Sequence, residues 1–129
     1  MKGYESALTN KENAKFFQIP HDRIQDGVNS ALQELIETGR YDGVFCVNNS
    51  IAKAILKASR SWKSELNELR IISFDDIEIF DLVNPKISSV AQPIEQIGLN
   101  AVELLIDRLD KKQEHKIEQR VLETTLIKR

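Results

Sequence analysis

The stretch Ile71-Ile72-Ser73-Phe74-Asp75-Asp76, followed by Asn84-Pro85-Lys86-Ile87-Ser88-Ser89-Val90-Ala91-Gln92-Pro93, decides how the chain is read. Leu69 to Phe74 is a short apolar run that stops at two carboxylates. That is the pattern of a strand buried on both faces and ended by polar residues. Lys86 to Ala91 reads as another strand. Pro93 then opens a helix, where its missing N–H has no intrahelical partner to lose. Ile94, Ile97, Ala101, Leu104 and Leu105 mark one side of that helix.

Working outward, the same alternation repeats. Ile24, Val28, Ala31, Leu32, Leu35 and Ile36 fall on one helix face. Asp22 and Gln25 form a capping-box pattern at its start, and Gly39 stands where a helix C-terminal glycine belongs. Gly43 to Val47 reads as a strand buried on both faces, broken by Asn48-Asn49-Ser50. Ile51, Ala54, Ile55 and Ala58 mark the next helix. Val121 to Ile127 closes as a strand, after a charged loop from Lys111 to Glu118. Gly3 to Leu8 reads as the end of a helix, and Lys15 to Ile19 as a short strand. Strands alternating with helices imply an α/β fold, three-layered, with a mostly parallel sheet.

Composition narrows the function classes. The chain has 129 residues, 41% hydrophobic and 29% charged, enough for one domain with a real core. Eighteen basic against twenty acidic residues give a net charge of −2, which disfavours a phosphate-driven nucleic-acid binder. The single Cys46 excludes a disulfide framework and a Cys-rich zinc site; inside an apolar strand it reads as an inert small hydrophobe. His21 and His115 have no ligand at metal spacing. No apolar run is long enough to span a bilayer, and the N-terminus lacks the apolar core of a signal peptide. The expectation is a soluble cytoplasmic domain with no metal, no cofactor and no membrane partner.

In an open parallel sheet, ligands bind beyond the carboxyl ends of the strands. Two polar pairs stand there, Asn48-Asn49 and Asp75-Asp76. Amides that donate and accept, beside carboxylates that accept, suit a polyhydroxylated ligand such as a sugar. The same residues also suit helix caps: Asn49 or Ser50 at one end and Asp76 at the other. A phosphoryl-accepting receiver domain is a poorer match. It wants its acidic pair after the first strand and a Lys near the end. There is no Gly-rich phosphate loop and no nucleophile elbow, so no enzyme is expected.

The sequence resembles the LacI/GalR family of transcriptional regulators. The family runs roughly V-G-F-D-D, then P-x-L-T-T-V-x-Q-P, against Ile71–Asp76 and Pro85–Pro93 here. Val44-Phe45-Cys46-Val47-Asn48-Asn49 resembles its I-F-A-A-N-D, with Asn49 for the usual Asp. Met1-Lys2-Gly3-Tyr4 resembles the tail of R-x-x-G-[FYW]. The resemblance implies a periplasmic-binding-protein-like lobe. Residues 1–91 would be most of the C-terminal lobe of an effector-binding core, 92–120 a crossover helix and loop of the N-terminal lobe, and 121–129 a returning strand. It implies a sugar-like effector held by Asp75, Asn48, Gln92 and Asp22, with Asp76 left as the cap. It also implies a homodimer through Ile51, Ile55, Ile79, Phe80 and Val83, although these could equally pack under their own strands. Operator DNA would be bound only through a headpiece outside this chain. A periplasmic-type sugar-binding protein of a transport system is the alternative. The apolar face of the Pro93–Leu109 helix is expected to dock on its own lobe or exchange with a neighbour.

Overall fold

The structure is a computed structural model that describes residues 2–8, 14–62, 66, 68–109 and 117–129. His115 and most of the 111–118 loop lie outside the described residues. Helix α1 is Lys2–Ala7, α2 Ile24–Thr38, α3 Asn49–Ala58 and α4 Ile94–Leu109. The strands are β1 Gly43–Cys46, β2 Arg70–Phe74, β3 Ile87–Ala91 and β4 Thr125–Ile127. They form one sheet in the order β1-β2-β3-β4. The first two pairings are parallel, and β4 returns antiparallel to β3. The expected α/β class with a mostly parallel sheet is what the chain forms.

The core lies between one face of the sheet and two helices. Alternation along β1, β2 and β3 sends Val44, Cys46, Ile71, Ser73, Ile87 and Ser89 to that face. Helix α3 lies on β1 and β2, and α2 packs on α3. Val28, Leu32, Ile55, Leu66, Ile71, Phe80 and Ile87 join in one buried cluster. Each such side chain contributes about 1.5–3 kcal/mol by leaving water. Helix α2 ends as its spacing implies: Gly39 turns left-handed at φ 56°, and its N–H reaches the Ile36 carbonyl.

The opposite face is not covered in the same way, and this corrects the expectation that β1 and β2 are buried on both faces. Phe45 keeps 44% of its surface exposed and Ile72 37%. Helix α4 buries none of its residues, so it does not dock on the sheet that precedes it. Two smaller expectations also change. Residues 15–19 are not a strand, because no strand pairs with them. Asp22 caps nothing: a 3-10 turn at His21–Arg23 precedes α2, whose start has no side-chain cap.

Asp76 is not a helix cap either. It is the centre of a long-range polar junction that holds the last strand. Arg129 Nη1 donates to Asp76 Oδ1 at 2.9 Å, and its Nε to Asp81 Oδ1 at 2.6 Å. Nη1 also reaches Ser89 Oγ at 2.9 Å, while Ser89 Oγ donates to Asp76 Oδ1 at 2.5 Å. The guanidinium stands 5.9 Å from the Phe80 ring centre. Desolvation pushes the Asp76 carboxyl up. The hydrogen bonds from Arg129 and Ser89 and the guanidinium charge outweigh it, so the pKa lies below the ordinary value.

Arg129→Ala is expected to lower the unfolding free energy by about 2 kcal/mol in urea titrations, since it removes charge-assisted hydrogen bonds. The pH dependence follows from the lowered Asp76 pKa. Its contribution is fully present above the unfolded carboxylate value, roughly 3.9, and is lost as pH falls through the lower folded value. The same titrations repeated down the acid range should show a shallower loss in Arg129→Ala than in the parent chain.

Candidate functional site

The parallel register of β1, β2 and β3 lines up their carboxyl ends. Asn48 follows β1, Asp75 follows β2 and Gln92 follows β3. With neighbouring strands roughly 4.8 Å apart, these ends form a row about 10 Å long. Each side chain has one polar atom committed to the protein and another left over.

Asn48 is extended, at φ −161° and ψ 170°, and caps α3. Its Oδ1 accepts from the Ile51 N–H at 3.1 Å. The cap is therefore Asn48 rather than Asn49 or Ser50. Only its amide N–H groups, which bond to none of the described residues, remain for a ligand. Asp75 leaves β2 with φ 71°, a left-handed conformation that few non-glycine residues adopt. Its N–H donates to the Val90 carbonyl at 3.1 Å. Gln92 Nε2 donates to Asp75 Oδ1 at 2.5 Å, tying the end of β2 to the segment that leaves β3. Asp75 Oδ2 and Gln92 Oε1 remain as acceptors. A row offering one amide donor and two acceptors can hold a run of hydroxyl groups. Strained backbone beside a polar cluster is a frequent mark of a binding site.

Asp22 does not join this row by any bond. It is an exposed carboxylate whose ion pair is with its neighbour Arg23, at 3.7 Å. A cavity of about 300 Å³ lies beside β1 and reaches the row only at Asn48. Its other walls are mostly apolar, so it is distinct from the polar row in chemistry. Cys46 is buried, and burial pushes its thiol up to about 12, which makes it a poor nucleophile.

A family model described as a periplasmic binding protein-like domain matches residues 1–129. The chain belongs to that family. The ribose operon repressor of Haemophilus influenzae is 29% identical over 133 residues, covering all of this chain and 40% of the repressor. The HTH-type transcriptional repressor PurR of Vibrio campbellii is 33% identical over 65% of this chain and 25% of its own length. This chain thus spans two fifths or less of these relatives. Among solved structures, a LacI family regulator from Enterococcus faecium with bound ribose superposes with a TM-score of 0.66. It is 26% identical, over 81% of this chain and 38% of that one. The transcription regulator CcpA of Lactococcus lactis shares the fold, with a TM-score of 0.70 over 98% of this chain and 47% of its own, at 23% identity. The resemblance to LacI-type regulators is therefore found again in relatives and in fold.

Within this periplasmic binding protein-like fold, two of the expected interface residues are misplaced. Phe80 has no exposed surface and Ile55 only 2%, because both face the sheet from the helical side. Ile51 also packs against the core. Ile79 stays 46% exposed, and Val83 is half-buried. Sequence reasoning missed Arg129 altogether. No local pattern marks it, since its partners Asp76 and Asp81 are 53 and 48 residues away.

The two tasks of Asn48 separate by substitution. Asn48→Ala should cost about 1 kcal/mol in chemical unfolding, whereas Asn48→Asp should leave stability within a few tenths, because aspartate caps as well as asparagine. Equal loss in both variants would contradict the capping assignment.

Proposed function

We propose that this chain is most of one lobe of the effector-sensing core of a LacI-type transcriptional repressor, and that it binds a sugar, a pentose such as ribose, at Asn48, Asp75 and Gln92. The observation that carries the reading is the Asp75–Gln92 pair across the ends of two parallel strands, with free acceptor oxygens on both. The relatives add chemical class. One is named a ribose operon repressor; one superposing regulator holds ribose, and another, from Alkaliphilus metalliredigens, holds D-xylulofuranose. Relatives named as repressors favour regulation over transport, and over catalysis.

In this reading residues 1–91 and 121–129 belong to the C-terminal lobe, and 92–120 cross to the other. Gln92 stands at that crossing, directly before α4. The second wall of the cleft lies in polypeptide outside this chain, and so do the groups that contact operator DNA. Effector binding changes the relation of the lobes, and thereby DNA affinity. By linkage, DNA changes effector affinity by the same factor. The assembly is a cytoplasmic homodimer, with exposed Ile79 and half-buried Val83 the part of the expected surface that stays accessible. Asp22 contributes to the ligand only if the cleft wall brings its carboxylate inward.

Calorimetric titration of the protein containing residues 1–129 with D-ribose tests this. Saturable binding is expected. Asp75→Asn should weaken it by at least about tenfold, since a hydrogen bond to a charged group contributes roughly 1.5–3 kcal/mol. Asn48→Asp, which keeps the cap and loses the amide donor, should weaken it as well. Absence of pentose binding, or an Asp75→Asn variant that binds as the parent does, would overturn the assignment.

A further inference from the structure

The amino ends of β2 and β3 frame an open recess of about 740 Å³. It lies at the opposite end of these strands from Asp75 and Gln92, roughly 15 Å away, or one strand length. Sheet register decides which side chains meet there. Ile71, Ser73, Ile87 and Ser89 face the core, so alternation turns Arg70, Ile72, Lys86 and Ser88 to the other face. Ile71 pairs with Ile87, which sets Arg70 directly across from Lys86. Strand β4 runs back antiparallel and pairs Ser89 with Ile127, which sets Lys128 beside Ser88 on that same face. Three cations from the ends of three strands thus line one recess.

Among the described residues no carboxylate lines this recess. Arg70, Lys86 and Lys128 are exposed, and none of their side chains pairs with a described residue. Like charges set opposite each other on neighbouring strands work against the sheet. A fourth cation on the rim, Arg129, has its guanidinium already committed to Asp76 and Asp81. Its backbone N–H donates to Ser88 Oγ at 3.2 Å, which leaves the Ser88 hydroxyl hydrogen to donate into the recess. Positive charge and donors therefore converge where no described acidic group answers them. Beside them the exposed side chains of Ile72 and Leu126 form an apolar strip.

We propose that this recess is a second ligand site, which binds a small organic phosphate. Arg70, Lys86, Lys128 and the Ser88 hydroxyl hold the phosphate, and the carbon skeleton lies on Ile72 and Leu126. A phosphomonoester matches the donor set better than a carboxylate does. It carries close to two negative charges near pH 7 and three terminal oxygens, enough for three cations and one hydroxyl. The volume suits a small molecule. The cations are confined to one end of the sheet in a chain of net charge −2, which does not suit a long polyanion. The proposal does not rest on the sugar site, which uses other residues at the other end of the strands.

The test is an NMR titration of the protein containing residues 1–129 with phenyl phosphate, followed by inorganic phosphate. Saturable shift changes are expected at the Ile72, Ser88 and Lys128 amides. Phenyl phosphate should bind about threefold or more tightly than inorganic phosphate, because its ring covers apolar surface. Lys86→Gln and Lys128→Gln, both at exposed positions that leave the core intact, should each weaken binding by about fivefold or more. Lys53→Gln, an equal loss of charge on the exposed side of α3, should leave it unchanged. No saturable change at these amides, or the same weakening in Lys53→Gln, would overturn the proposal. So would equal affinity for the two phosphates, or changes centred on Asn48, Asp75 and Gln92. Tighter binding of a short oligothymidylate at the same amides would overturn it too, since the recess would then be a nucleic-acid contact.

Discussion

The parallel pairing of β2 with β1 on one side and β3 on the other is the constraint on which the rest depends. It sets which side chains face the helices, and so where the core lies. It also brings three strand ends, distant in sequence, to one edge. A slip of one residue in β2 would turn Ile71 and Ser73 out of the core and carry Asp75 away from Gln92. The buried Ser73 and Ser89 face each other across that pairing, and in this register Ser89 donates to Asp76 just beyond the end of β2. The polar row is thus a consequence of sheet register rather than of any local motif.

Two adjacent carboxylates divide the work at the end of β2. Asp75 turns left-handed and holds Gln92, with an oxygen left free at the strand ends. Asp76, one residue on, closes a network with Ser89, Arg129 and, through Arg129, Asp81. The strained backbone at Asp75 separates the two. Stability is drawn from the second carboxylate, which leaves the first available for a ligand. This arrangement places the carboxylate proposed to meet the ligand next to a densely hydrogen-bonded junction at the end of β2.

Much of this was legible in the sequence. The helices around Val28 to Leu35 and Ile51 to Ala58, the three parallel strands and the Gly39 terminus all follow from local periodicity and cap chemistry. So did the nomination of Asn48 and Asp75 as residues at strand ends, whereas Gln92 was implied only by the family resemblance. What failed was whatever depends on partners far along the chain. Asp76 looked like a cap because a cap needs only its neighbours, whereas its true partner lies at Arg129. Phe80 and Ile55 looked like surface for association, because a short apolar segment does not say which side faces the sheet. Residues 15–19 carry a strand's composition, but a strand exists only when another pairs with it. The both-sides burial expected of β1 and β2 likewise supposed a second covering layer that the described residues do not supply.

The central claim is that the carboxyl ends of β1, β2 and β3 form the ligand face. The most direct measurement is a map of NMR shift changes on adding D-ribose to the isotopically labelled chain. The account predicts the largest changes at the side-chain amides of Asn48 and Gln92 and at the Asp75 backbone, with little change along α4. Changes centred on Phe16, Phe45 and Leu32 in the apolar cavity, with the three strand-end residues silent, would contradict it.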